Sequence, residues 1–105
     1  MILLYDKDYE RGRQIKKILV DSGYAASFTS RSAECLRRVK KDLISHLFIG
    51  RFDDTSTVSE ASYQAALKGV DIHFFDLYEP EDDKYLEKIS IFLISTIKNL
   101  QPTNP

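Results

Sequence analysis

Four short apolar runs alternate with four amphipathic stretches, and this alternation restricts the fold more than any other feature of the chain. Ile2, Leu3, Leu4 and Tyr5 are apolar throughout, as a strand buried on both faces must be. Asp8 is placed to cap the helix that follows, in which Ile15, Ile18 and Leu19 share one face. Gly23 stops that helix. A second strand is expected over residues 25–29. Ser32 is placed to cap a second helix, with Cys35, Leu36, Val39 and Leu43 on its buried face. Residues 46–49 form a third strand and 51–56 a polar loop. Thr57, Val58, Ser59 and Glu60 match a capping box and open a third helix that runs to Leu67. Residues 70–75 make a fourth strand. The acidic run 79–83 leads into a last helix over residues 84–100, where its charges suit the positive end of the helix dipole. The order is βαβαβαβα. Parallel neighbours need crossover connections, so this order implies a parallel sheet with helices on both faces. The expected strand order is 2-1-3-4.

Composition sets further bounds. A chain of 105 residues with 43% hydrophobic and 30% charged residues suits one compact domain. That domain is expected over residues 1–100, with 101–105 as a linker or a cut end. The longest apolar run, 89–97, is half of the roughly 18 residues that a membrane span requires. The first residues carry no basic leader, so a cytoplasmic location is expected. Cys35 is the single cysteine, which excludes an internal disulfide and a multi-cysteine metal site. Charge is uneven. Residues 1–51 hold 11 Lys/Arg and 6 Asp/Glu, a balance of +5, whereas residues 52–105 hold 4 and 10, a balance of −6. Such asymmetry suits an electrostatic contact with a partner, and equally a set of solvated helix faces.

The first half of the chain carries a more specific pattern. It comprises ILLYDKD, the helix ERGRQIKKILVDSGY, the strand AASFTS, the helix SAECLRRVKKD and the strand HLFIG. In this order and spacing the series resembles a response-regulator receiver domain, a flavodoxin-like three-layer α/β fold. The likeness is topological only beyond residue 50. It implies a sheet of four to five strands, the fifth being lost or irregular because none is recognisable between Tyr78 and the last helix. LFIGRFDD also resembles the degenerate N-terminal domains of sigma-54-dependent flagellar and biofilm regulators, which precede an ATPase module and a DNA-binding module.

A receiver switch requires a carboxylate at the end of the third strand, to accept a phosphoryl group. It also requires an acidic pair after the first strand, to help hold a divalent cation. On this chain the resemblance places Gly50 at the acceptor position with Arg51 beside it. The acidic pair becomes Asp6 and Lys7. The phosphate-binding hydroxyl falls near Asp76, and the lysine of a fifth strand is not found. The resemblance therefore implies a degenerate phosphoacceptor region of Asp6, Lys7, Gly50, Arg51 and Asp76, without phosphorylation, cofactor or metal.

Other constellations are weaker. Asp6, Asp8, Asp53, Asp54 and Asp76 gather near the carboxyl ends of strands, where open α/β sheets bind ligands. Caps and loop solvation are their expected roles, with a residual Mg²⁺ or Ca²⁺ site as the alternative. His46 and His73 are expected on exposed strand faces. Arg37, Arg38, Lys40 and Lys41 form a basic cluster, read as a solvated face because no aromatic residues interleave it. No nucleophile elbow or phosphate-binding glycine loop is present, so an enzyme is not expected. The last helix is apolar round much of its circumference, and the fourth strand becomes a sheet edge if no fifth strand follows. A homodimer or an attached output domain is expected to cover Ile72, Phe74, Phe75, Tyr78, Tyr85, Ile89, Phe92 and Leu93. The function expected is that of a non-phosphorylatable regulatory domain working by protein contact, without direct nucleic-acid or membrane binding. The alternatives are a stand-alone signalling adaptor and a metal-dependent phosphotransfer domain using Asp6 and Asp53.

Overall fold

A computed structural model of the protein describes residues 1–75 and 84–100, with side chains through Lys98. The elements are β1 (Ile2–Tyr5), α1 (Tyr9–Asp21), β2 (Ala26–Thr29), α2 (Ser32–Lys41), β3 (His46–Ile49), α3 (Thr55–Leu67), β4 (Asp71–Phe74) and α4 (Tyr85–Leu100). Among the described residues the sheet has four parallel strands in the order β2-β1-β3-β4. Tyr78, Asp76, the acidic run 79–83 and the place of any fifth strand lie outside the described residues.

Strand alternation sends side chains to two cores. Ile2, Leu4 and Phe48 face one side with Phe75, and α1 and α4 cover them with Ile15, Leu19, Ile89, Leu93 and Ile97. Leu3, Tyr5, Leu47 and Ile49 face the other side, beneath Cys35 and Val39 of α2 and Val58, Ala61 and Ala65 of α3. Every residue of β1 is buried, so its uninterrupted apolar run serves both layers. Burial pushes the Cys35 thiol up to about 12, which leaves it an inert core group.

Local signals set the helix ends. The Asp8 side chain accepts from the Arg11 amide at 3.2 Å and caps α1. Gly23, at φ 96°, turns the chain out of that helix. Gly12 lets α1 lie close on β2, because a Cβ there would sit 2.1 Å from the Phe28 ring.

Several sequence expectations need correction. Ser32 does not cap α2: it is the first helical residue, Arg31 holds the cap position without a side-chain bond, and the Ser32 hydroxyl bonds Asp54 at 3.2 Å. Leu43 is 94% exposed, because α2 ends at Lys41 and the chain beyond turns it outward. The capping box falls inside α3. That helix begins three residues earlier than a Thr57 cap would place it, capped by Asp54, which accepts from the Thr57 amide at 3.1 Å and its hydroxyl at 2.7 Å. His46 and His73 are half-buried, since each flanks the core residue Phe48 with ring centroids 6.0 and 5.9 Å away.

Candidate functional site

Three strand ends and the first turn of one helix meet at the carboxyl edge of the sheet. β1 delivers Asp6, β3 delivers Gly50 and β4 delivers Phe75. Backbone bonds hold them in step: Gly50 donates to the Tyr5 carbonyl at 2.8 Å, Phe75 to Ile49 at 2.9 Å and Lys7 to Arg51 at 3.0 Å. α1 then swings Arg11 back over the sheet edge.

The centre of this region is an ion pair. Arg11 Nε donates to Asp6 Oδ2 at 2.6 Å, and its Nη2 lies 2.5 Å from the same oxygen. Their side chains are 1% and 0% exposed. The other carboxylate oxygen, Oδ1, accepts from the Asp8 amide at 2.8 Å. The guanidinium also lies over the Phe75 ring, 5.6 Å from its centroid. Burial pushes the Asp6 carboxyl upward, opposed by the Asp8 amide and by Arg11. A pair this deep is held by geometry: removing either member would strand the other's charge in the interior.

Gly50 completes the enclosure. A Cβ built on it would lie 2.3 Å from Asp6 Oδ2 and 2.7 Å from Phe75 Cζ, so no side chain fits at this position without displacement. The space that a side chain on residue 50 would enter is filled by the Asp6 carboxylate and the Phe75 ring. Around the rim, Lys7 pairs with the exposed Asp53 at 3.4 Å, and Arg51 reaches Asp8 at 3.5 Å.

The structure thus brings Asp6 and Gly50 together, with Lys7 and Arg51 at the rim. Asp76 lies outside the described residues. Asp6 and Asp53 do not make the joint site required by a metal-dependent phosphotransfer domain: Asp6 is sealed against Arg11, while the Asp53 side chain is 76% exposed and faces Lys7. Among the described residues no three His, Cys, Asp or Glu side chains are placed to hold a metal ion. Asp8 caps α1 as expected, and Asp54 caps α3 in place of Thr57. In the basic cluster, Arg37 pairs with Glu34 and Arg38 with Asp42.

Sequence reading passed over Arg11 and the packing role of Phe75. A signal for Arg11 was present, because it lies four residues before Ile15 and eight before Leu19. It therefore occupies the stripe of α1 that faces the sheet.

The expected interface does not survive as one surface. Phe75, Ile89 and Leu93 are fully buried in the protein's own core, where α4 packs on the sheet beside α1, so they cannot meet a partner. Ile72, Tyr85 and Phe92 are half-buried. Phe74 is exposed and lies beside Phe52, with ring centroids 6.1 Å apart. Tyr78 lies outside the described residues.

No family model and no curated protein matches the chain. Solved structures share its architecture. A de novo designed Rossmann 2x3 fold protein superposes with a TM-score of 0.69 at 15% identity, over 99% of this chain and 94% of that one. The receiver domain of the hybrid histidine kinase CckA gives 0.63 at 16% identity, over 95% and 98%. A CheY-like response-regulator receiver domain from Methanospirillum hungatei gives 0.55 at 20% identity, over 93% and 96%. A designed protein shares this architecture, so the likeness speaks to fold and leaves function to the site. The chain has the parallel, three-layer α/β fold found in receiver domains.

Proposed function

We propose that this protein is a receiver-like regulatory domain that cannot be phosphorylated and works by protein contact. One observation carries the reading: the acceptor position is a glycine whose missing side chain is replaced by the buried Asp6–Arg11 pair and the Phe75 ring. Phosphoryl transfer to a carboxylate needs an exposed acceptor and a cation to neutralise the transferred oxygens. Here the acceptor is absent, and the one carboxylate beside it is already neutralised by a guanidinium. The signal such a domain passes on then depends on what it binds, as a homodimer or against an attached output module. The module we favour is the N-terminal domain of a bacterial transcriptional regulator, of the flagellar or biofilm class that works with sigma-54.

Incubation with acetyl phosphate and Mg²⁺, followed by intact-mass measurement, tests the reading. The expected spectrum shows the unmodified chain alone. A stoichiometric phosphoryl adduct would overturn the proposal.

A further inference from the structure

The solvent side of α4 carries a pattern that packing inside the protein uses only in part, through Ile94, which touches the core beside Ile89 and Leu93. Glu87, Ile91, Ile94 and Lys98 follow one another at intervals of four, three and four residues. At 3.6 residues per turn they fall within an arc of about 60°, as one stripe along the helix. Ile91 is 59% exposed, Ile94 half-buried, and Glu87 and Lys98 exposed. Ile91 and Ile94 line one wall of an open groove of about 520 Å³ between α4 and α1, and Ile18 lines the other. An isoleucine this exposed on a helix flanking a groove leaves apolar surface in water.

The order of the residues selects an occupant. The stripe reads the same in both directions, with its charges inverted: Glu87 and Lys98 are equidistant from the Phe92–Leu93 bond, and so are Ile91 and Ile94. A second copy of α4 laid antiparallel across the first would set each Ile91 against the partner's Ile94. The same rotation would set each Glu87 against the partner's Lys98. A two-fold axis at the centre of the helix makes the surface complementary to itself, so each contact occurs twice. Parallel pairing in register would instead oppose Glu87 to Glu87 and Lys98 to Lys98, which repel.

We infer that α4 forms an antiparallel seam with a second copy of this chain, through Ile91 and Ile94 at the centre and Glu87–Lys98 pairs at both ends. This names the partner in the protein-contact reading and rests on that reading. It places the contact on the outward stripe of α4, away from the buried Ile89 and Leu93.

Sedimentation of the full 105-residue chain across a range of concentrations tests the seam. The expected result is a reversible monomer–dimer equilibrium. Glu87→Lys and Lys98→Glu should each weaken it about tenfold, by turning two attractive pairs per dimer into repulsive ones. The double variant should recover to within about threefold of the original, because the stripe is again self-complementary. Ile91→Glu should leave a folded monomer by circular dichroism, since that side chain points outward. A monomer at every concentration, or a dimer indifferent to Glu87→Lys and Ile91→Glu, would overturn the seam. Acetyl-phosphate mass measurement on the same samples separates the two ideas: an adduct refutes the regulatory reading, whereas an unmodified monomer refutes the seam alone.

Discussion

On the proposed reading, replacing Gly50 with aspartate returns a carboxylate to the acceptor position, and the packing around Gly50 predicts loss of stability with no gain of phosphorylation. Alanine isolates the steric part. Its Cβ would lie 2.3 Å from Asp6 Oδ2 and 2.7 Å from Phe75 Cζ, the first more than 1 Å inside ordinary van der Waals contact. Neither neighbour has solvent to move into, for Asp6 and Phe75 are both 0% exposed. Forcing extra volume into a packed interior costs about 1–3 kcal/mol, and the upper part of that range applies here because two rigid groups close on one carbon. Aspartate adds a second buried carboxylate beside Asp6, whose charge already occupies Arg11. Gly50→Asp should therefore cost at least about 3 kcal/mol, of a total near 5–15 kcal/mol for a domain of this size. In thermal unfolding, Gly50→Ala should lower Tm by roughly 8–20 °C, and Gly50→Asp by more or to complete unfolding. Circular dichroism melts of the two variants beside the parent measure this directly. A Gly50→Ala protein within about 0.5 kcal/mol of the parent would refute the claim that Asp6 and Phe75 fill the space beside Gly50. A stable Gly50→Asp protein that accepts a phosphoryl group would refute the silent-site argument with it.

Two further perturbations probe the same framework. Arg11→Met keeps the unbranched apolar stem of the side chain and strands the Asp6 charge, so urea unfolding should show a loss of about 3–5 kcal/mol; a change below 1 kcal/mol would mean that the pair does not hold the site. Burial lowers the His46 imidazole below its usual range, with His73 and the chain's amino terminus adding to the effect and Asp71 opposing it. A depressed folded value means that the neutral ring is favoured in the native state, so its stabilisation is present above about pH 6.5 and is lost as pH falls through the folded value. Urea midpoints should decline on acidification below about pH 6.5, and less steeply in His46→Gln; parallel declines in both proteins would refute the assignment.

The regular elements were legible because each depends on few neighbours. An all-apolar β1 and an amphipathic α1 report their burial through periodicity, and the crossover rule converts their order into a parallel sheet. The strand order 2-1-3-4 followed, and the sheet has it. Helix starts were less legible, because a cap depends on where the loop delivers its side chain. Thr57 and Glu60 satisfied the capping-box spacing, yet Asp54 reached the open amides first. At the site, Gly50 was readable as a missing carboxylate. Its filled surroundings were not, since Arg11 and Phe75 come from distant parts of the chain and meet only after the sheet and α1 have packed.

The apolar surface of α4 draws the same line most clearly. Sequence by itself determined that this helix is apolar round much of its circumference, and that residue 50 carries no carboxylate. Whether an isoleucine or phenylalanine there faces its own core or a partner is a property of the packed fold, because the gain from leaving water is the same against either. Tertiary structure buried Ile89, Leu93 and Phe75 within the protein and left Ile91 outside. It also closed Asp6 against Arg11 over the Phe75 ring, filling the space beside Gly50, because a buried charge is tolerated only where the fold supplies its partner.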